Sequence, residues 1–442
     1  MKVGDIMNLG HGKEIVSLLV IVSMTAAAWA GQEAKEKDTW LAFSDGAAAA
    51  GEAAQSPPAG DPAAQTAEAV WPPGLLMEGL DGIGAGRPLE GLGFRMWGFL
   101  ETSFTGRLTG GQNSLPGRAY DARRPNNLRL NQLQLTLERP YDNSKSFDFG
   151  MRIDGLFGGD AKLTHAAGLL DNAGDGNSDN WTDVVQAYGQ LWFKAGPESG
   201  LEITFGKFLE LAGSEVAEAT YNALYSHSYI YSFAEPTTHT GGYAKYIFNS
   251  QLFGYLGVVE GWDVFKDNND APTYITGGGW SSKEQIGGHA RTQVLLNIIT
   301  GPEQPDNTSN FRTLADIVIN HWWTDKLSES LNIDYLTEEN VPGVGRAKAY
   351  GLAHYLTYIF SDYVSGTWRV EWFRDDGGAR TGVDGSWFEN TWGLGVTPFP
   401  RDRVLKNLLV RPELRWDFAD KPAFGGDHKN QLTLTFDVIF KF

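Results

Sequence analysis

The last twelve residues, Gln431 to Phe442, constrain this chain more than any other stretch. Leu432, Leu434, Phe436, Val438, Phe440 and Phe442 are apolar, and the residues between them are polar except Ile439. Successive side chains of a strand point to opposite faces, so this period of two makes a strand with one apolar and one wet face. Soluble sandwiches use such strands too, packing the apolar face on a core. Context separates the two: an export signal, many such strands in series, and a chain that ends on an aromatic.

The series is present. From 92 to 442 the sequence reads as about sixteen strand-like segments, running from 93–106 to 429–442, with Gly-rich 272–281 the eighth and 286–299 the ninth. In 146–157, Phe147, Phe149, Met151 and Ile153 share one face, and Asp148, Gly150, Arg152 and Asp154 the other. In 363–375, Trp368, Val370 and Trp372 oppose Arg369 and Glu371. The connections alternate in length: 140–145, 195–200, 249–250, 325–326 and 361–362 are short, whereas 107–127, 158–182, 210–239, 263–271 and 300–310 are long. Membrane barrels have short periplasmic turns, long extracellular loops and an even strand number. Polar faces carry both signs in rows, as in Arg411, Glu413, Arg415 and Asp417. Aromatics near strand ends (Trp97, Trp192, Trp262, Trp322, Trp323, Tyr358, Phe360, Trp387 and Phe442) have the placement of interfacial girdles. The expected fold is all-β: a single antiparallel transmembrane β-barrel of about sixteen strands, with 14 or 18 as alternatives.

Composition removes several other classes. With 54 glycines, 12% aromatics, 20% charged residues and no cysteine, the chain suits a large β structure and has no disulfide, Cys-ligated zinc or thiol chemistry. A net charge of −18 argues against nucleic acid as a partner. Ile15 to Ala28 has the length of a signal-peptide core, short of the ~20 residues of a span, and Ala28-Trp29-Ala30 is a small-x-small cleavage site. Residues 1–30 are expected to be a signal peptide. Residues 31–91, rich in Ala, Gly and Pro with ten acids against three bases, read as a disordered periplasmic linker. Residues 92–442 are the barrel.

Several local segments carry a family likeness: Val184-Val185-Gln186-Ala187-Tyr188, Phe205-Gly206-Lys207-Phe208, Tyr225-Ser226-His227-Ser228, Pro236-Thr237-Thr238-His239-Thr240-Gly241, Glu260-Gly261-Trp262-Asp263 and Gly301-Pro302-Glu303. With them, 92–442 resembles the OmpL-like β-barrel porins (beta-barrel porin-2) of Gram-negative outer membranes. The resemblance implies a pore without naming its solute. It also implies that terminal Phe442 is the recognition signal for the β-barrel assembly machinery, and it brings a possible homotrimer.

A water-filled barrel needs little chemistry, since its narrowest point sets size and charge preference. Pore-lining candidates are Arg152, Asp154, Asp316, Arg369, Glu371, Arg411, Glu413, Arg415, Asp417 and Asp437. The longest connection, Glu210 to His239, contains Glu210, Glu215, Glu218 and Glu235 and no Lys or Arg. It is either a constriction loop, setting these acids opposite the lumen arginines, or an exposed acidic loop above the membrane. Asp175, Asn177 and Asp179 follow the spacing of a calcium loop. Asn180 replaces its turn glycine and Gln186 its final glutamate, so a hydrated surface loop is expected, with no metal. Arg118, Arg123, Arg124 and Arg129 form a basic cluster, suited to lipopolysaccharide phosphates, the pore mouth or plain solvation.

The expected function is passive diffusion of small hydrophilic solutes or ions across the outer membrane, with lipid around the barrel and no cofactor. Two alternatives are a surface adhesin or receptor acting through the long loops, and an outer-membrane lipase with His321 on the lipid-facing wall. The chain carries neither H-E-x-x-H nor G-x-S-x-G, so no catalytic residue is expected.

Overall fold

A computed structural model describes residues 74–111, 115–118, 120, 124–173 and 179–442. The expected signal peptide, most of the linker, Arg123, Asp175 and Asn177 lie outside the described residues.

Sixteen antiparallel strands close into one barrel. In chain order the first eight are β1 (Arg95–Thr109), β2 (Leu128–Arg139), β3 (Phe147–Gly158), β4 (Trp181–Lys194), β5 (Gly200–Leu209), β6 (Thr238–Asn249), β7 (Leu252–Val259) and β8 (Thr273–Ser281). A small ribbon of β9 (Gln285–Ile286) and β10 (His289–Ala290) stands apart. The barrel continues with β11 (Thr292–Pro302), β12 (Phe311–Trp322), β13 (Leu327–Val341) and β14 (Gly345–Ser361). It ends with β15 (Val364–Asp376), β16 (Gly385–Val396), β17 (Leu408–Ala419) and β18 (Asn430–Lys441).

Closure is made by β18 on β1, in register from Phe99 opposite Lys441 to Thr109 opposite Leu432. Gly98 and Phe442 exchange both backbone hydrogen bonds at 2.8 Å, which completes the seam at the C-terminus. A closed sheet leaves no unpaired edge, the condition for a strand structure in hydrocarbon. The outward faces are apolar and exposed: Leu256, Phe248, Phe205 and Phe436 belong to a belt that encircles the barrel. In water such a belt would aggregate, whereas a bilayer covers it. Along β18, Leu434, Phe436 and Val438 face out, while Thr433, Thr435, Asp437 and Ile439 are buried inside.

The expected segmentation differs from the fold in three places. The predicted strand 286–299 begins later, at Thr292, because Gly287 and Gly288 both take positive φ (59° and 87°) and turn the tight β9–β10 ribbon. Residues 74–91, assigned to a disordered linker, instead form helices α1 (Leu75–Gly82) and α2 (Gly86–Gly91). Met77 of α1 is buried, and an exposed ion pair of 2.6 Å joins Glu78 to Arg403 beyond β16. The apolar Leu76, Met77 and Leu80 give this piece a face to bury, which the Ala/Pro-rich stretch before it does not have.

Third, several presumed girdle aromatics lie inside. Trp97, Trp192, Trp322 and Trp387 share strand parity with inward residues. Trp192 stacks on Tyr141 (centroids 5.3 Å), and Trp387 packs on Phe424 and Tyr229. Trp262 is buried within the 260–272 connection. The exposed aromatic belt is built from Tyr358, Phe360, Phe147, Phe193, Phe248, Tyr274 and others.

Candidate functional site

The connection from Glu210 to Thr237 turns into the barrel between β5 and β6. Its path can be followed from its partners. It descends until Ala219 packs against Phe99, Leu409 and Ile439, near the end of the barrel that carries the C-terminus. It then climbs back through Ser226 and ends in a short helix, α3 (Tyr229–Ala234), capped by the Ser228 hydroxyl, which accepts from the Tyr231 N–H. A cavity of about 100 Å³ at that same end is lined by Trp97, Phe99, Glu218, Thr220, Lys441 and Phe442.

Both sides of the wall grip this insert. On one side, Gln132 Nε2 donates to Ala217 O at 2.8 Å, and Gln134 and Arg152 both donate to the Glu218 carboxylate at 3.1 Å. Ser103 and Asn131 bind the Tyr225 hydroxyl at 2.9 and 3.1 Å. Across the lumen, Arg369 forms 2.5 Å ion pairs with Glu215 and Glu389 and donates to Ser226. Arg411 donates to the carbonyls of Ala219, Asn222 and Leu224 at 3.1, 2.6 and 3.1 Å, while pairing with Asp437 and Glu101. Arg415 donates to His227 O, pairs with Asp417 at 2.8 Å and lies over the Tyr229 ring. The first turn of α3 meets Glu371, which accepts the N–H groups of Tyr229 and Ile230 at 2.7 Å each. A carboxylate is favoured there, because helix N–H groups lack partners within their own helix.

All ten pore-lining candidates therefore face inward, and each touches the insert or a group bound to it. Arg152 and Asp154 pair with each other at 3.0 Å as well as meeting Glu218. Glu413 accepts from Ser226 N at 3.0 Å, and Asp417 from the Tyr229 hydroxyl at 2.7 Å. The four loop acids separate into two pairs. Glu215 and Glu218 meet arginines, whereas no hydrogen-bond donor reaches either carboxylate oxygen of Glu210 or Glu235 among the described residues. Burial pushes both unpartnered acids well above the usual carboxylate range, reinforced by Asp263 at Glu210 and by Asp334 and Asp316 at Glu235.

Two sets of residues escaped the sequence reading. The inward face of β14 carries Ala347, Ala349, Gly351 and Ala353, all too small to fill the barrel. They leave the space that α3 occupies: a Cβ on Gly351 would sit 3.1 Å from Ile230 Cγ1. Gly393 makes the same room for Leu224. A row of small residues at inward parity was the available signal. The basic cluster also divides. Arg118 is buried and pairs with Asp417 at 2.9 Å, Arg129 pairs with Asp160 at 3.1 Å, and Arg124 stays exposed, 3.9 Å from Asp179. Tyr120 follows Arg118 inward, with its hydroxyl 2.7 Å from that of Thr237. His321 lies on the outer side of β12, its Nδ1 2.8 Å from the Thr292 hydroxyl and its ring edge-on to Trp323.

Residues 93–442 match the family described as "Putative beta-barrel porin-2, OmpL-like". Among curated proteins none matches the sequence significantly. Solved structures with the same fold include OprB of Pseudomonas putida (TM-score 0.53, 14% identity, covering 82% of this chain and 97% of that one). The anion-selective porin of Comamonas acidovorans gives a TM-score of 0.52 at 9% identity, covering 79% and 99% of the two chains. The outer-membrane channel DcaP of Acinetobacter baumannii gives 0.50 at 11%, covering 79% and 97%.

Proposed function

Since this chain belongs to the OmpL-like beta-barrel porin-2 family, we propose that it is a diffusion channel for small hydrophilic solutes or ions, throttled by its own 210–237 loop. Membership of that family supports the reading of an outer-membrane channel in a Gram-negative-type bacterium. The observation that supports the throttle is the pairing just described: Arg369, Arg411 and Arg415 are almost wholly buried, and each one holds the loop. A barrel of this strand number without such an insert leaves an aqueous channel. With it, the aperture depends on loop contacts, and the lumen charges act in close pairs rather than as open facing rows.

Solute choice in this reading follows from whatever space and charge remain beside the loop. Phe442, at the seam, serves as the signal to the assembly machinery, and the barrel works as a homotrimer surrounded by outer-membrane lipid. Planar-bilayer recording tests the reading. The whole protein should give small ohmic steps, and a variant with residues 213–235 replaced by a short Gly/Ser link should give steps several-fold larger. Equal steps from the two proteins would show that the loop does not set the aperture, and silence from both would remove the channel itself.

A further inference from the structure

The wall opposite the arginines presents a different pattern. Asp316 of β12 and Asp334 of β13 sit directly opposite each other in the sheet, both facing inward and both 1% exposed. Glu235, just past α3, is brought down onto them, so that one carboxylate oxygen from each of the three lies within 4.8 Å of the others. The amides of Asn297 and Asn332 donate to Asp316 at 2.6 and 2.9 Å, and Asn332 also donates to Asp334 at 2.9 Å. Neither oxygen of Glu235, itself 6% exposed, receives a hydrogen bond from the protein, nor does Asp334 Oδ2. Glu210, 2% exposed, is likewise unpartnered at both oxygens, and its charge acts on Glu235. The strongest charges acting on Glu235 are Asp334, Asp316, Glu210 and Glu215, all of them acids.

Two asparagine amides cannot satisfy three clustered buried carboxylates, and the oxygens left without a donor need either shared protons or a cation. We propose that Glu235, Asp316 and Asp334 form a binding site for a hard divalent cation such as calcium, which latches the C-terminal end of the inserted loop to the β12–β13 wall. Oxygen-only donors select a hard cation over a softer transition metal. All three donor oxygens lie within 4.8 Å of one another, close enough to converge on one cation with metal–oxygen bonds of about 2.4 Å. The arginine contacts hold the middle of the loop, and the cation would hold its return. This site is separate from the Asp175–Asp179 spacing noted in the sequence and does not depend on the pore conducting.

The test is equilibrium dialysis of the EDTA-stripped, full-length folded protein against ⁴⁵Ca²⁺. Glu235→Gln and Asp334→Asn are compared with the wild type, and Asp179→Asn serves as the control. The expected result is one calcium per wild-type and Asp179→Asn chain, with affinity lowered at least tenfold in each of the other two variants. Retention of the folded, heat-modifiable form on gels checks that the variants fold. Calcium should raise the melting temperature of the wild type and leave Glu235→Gln unmoved. A wild type that binds no calcium, or variants that bind as the wild type does, would overturn the site. Proton uptake near neutral pH without metal binding would assign the cluster to shared protons instead.

Discussion

Between β15 and β18 every buried arginine has a carboxylate within ion-pair distance, whereas between β12 and β13 buried carboxylates face one another. Both walls hold the same loop and exclude water to a similar degree. The arginine wall solves desolvation with its own charges and loop carbonyls. The acid wall has only the amides of Asn297 and Asn332, which leave both oxygens of Glu235 and one of Asp334 without a donor. Burial alone therefore does not say how a lumen element is fastened; the sign and partner of each charge do.

The comparison breaks most sharply at Arg411, which holds three loop carbonyls and two acids. Arg411→Ala strands Asp437 and Glu101 in the interior and should cost about 3–5 kcal/mol, read as a shift in urea unfolding from detergent or bilayer. A cost near that of an exposed pair would erase the distinction between the walls. On the acid wall the sign should reverse. In EDTA, Asp334→Asn removes a buried charge that has a donor at only one oxygen and faces other acids, and should raise stability by roughly 1–3 kcal/mol, and added calcium should abolish or invert the gain.

A milder case lies at the rim beyond β11. Glu303 accepts from Trp262 N at 2.9 Å and from the Thr273 hydroxyl at 2.5 Å, yet burial lifts its carboxyl to about 7. The folded protein thus keeps a proton that the unfolded chain releases near the ordinary glutamate value. The resulting stability is fully present below about pH 4.5 and is lost as pH rises through 7. Relative to Glu303→Gln, the wild type should weaken across that window by about 1–3 kcal/mol. A flat difference between the two would show that the hydrogen bonds, and not burial, govern this carboxyl.

The barrel was legible because lipid on one side and water on the other impose a period of two on every strand. Parity also held the answer for Trp97, which steps in twos with Phe99, Glu101 and Ser103. Position near a strand end had suggested a girdle, but parity put the ring inside. The loop was harder. Nothing periodic distinguishes Glu215 and Glu218, which meet arginines, from Glu210 and Glu235, which do not, because their partners lie far away in sequence. The trace that did exist sat on the opposite wall, where Ala347, Ala349, Gly351 and Ala353 left a trough unfilled. Helices α1 and α2 were hidden by the low-complexity stretch before them, although Leu76, Met77 and Leu80 supplied an apolar face.

The central claim is that residues 210–237 lie inside the barrel, and because the chain has no cysteine a single introduced thiol reports on it cleanly. Ala217 is 2% exposed within the insert, and Thr308 is exposed on the 303–310 connection. Labelling the folded protein with a bulky maleimide should modify Thr308→Cys rapidly and leave Ala217→Cys protected until the barrel is unfolded. Equal labelling of the two would place the loop in solvent and contradict the account.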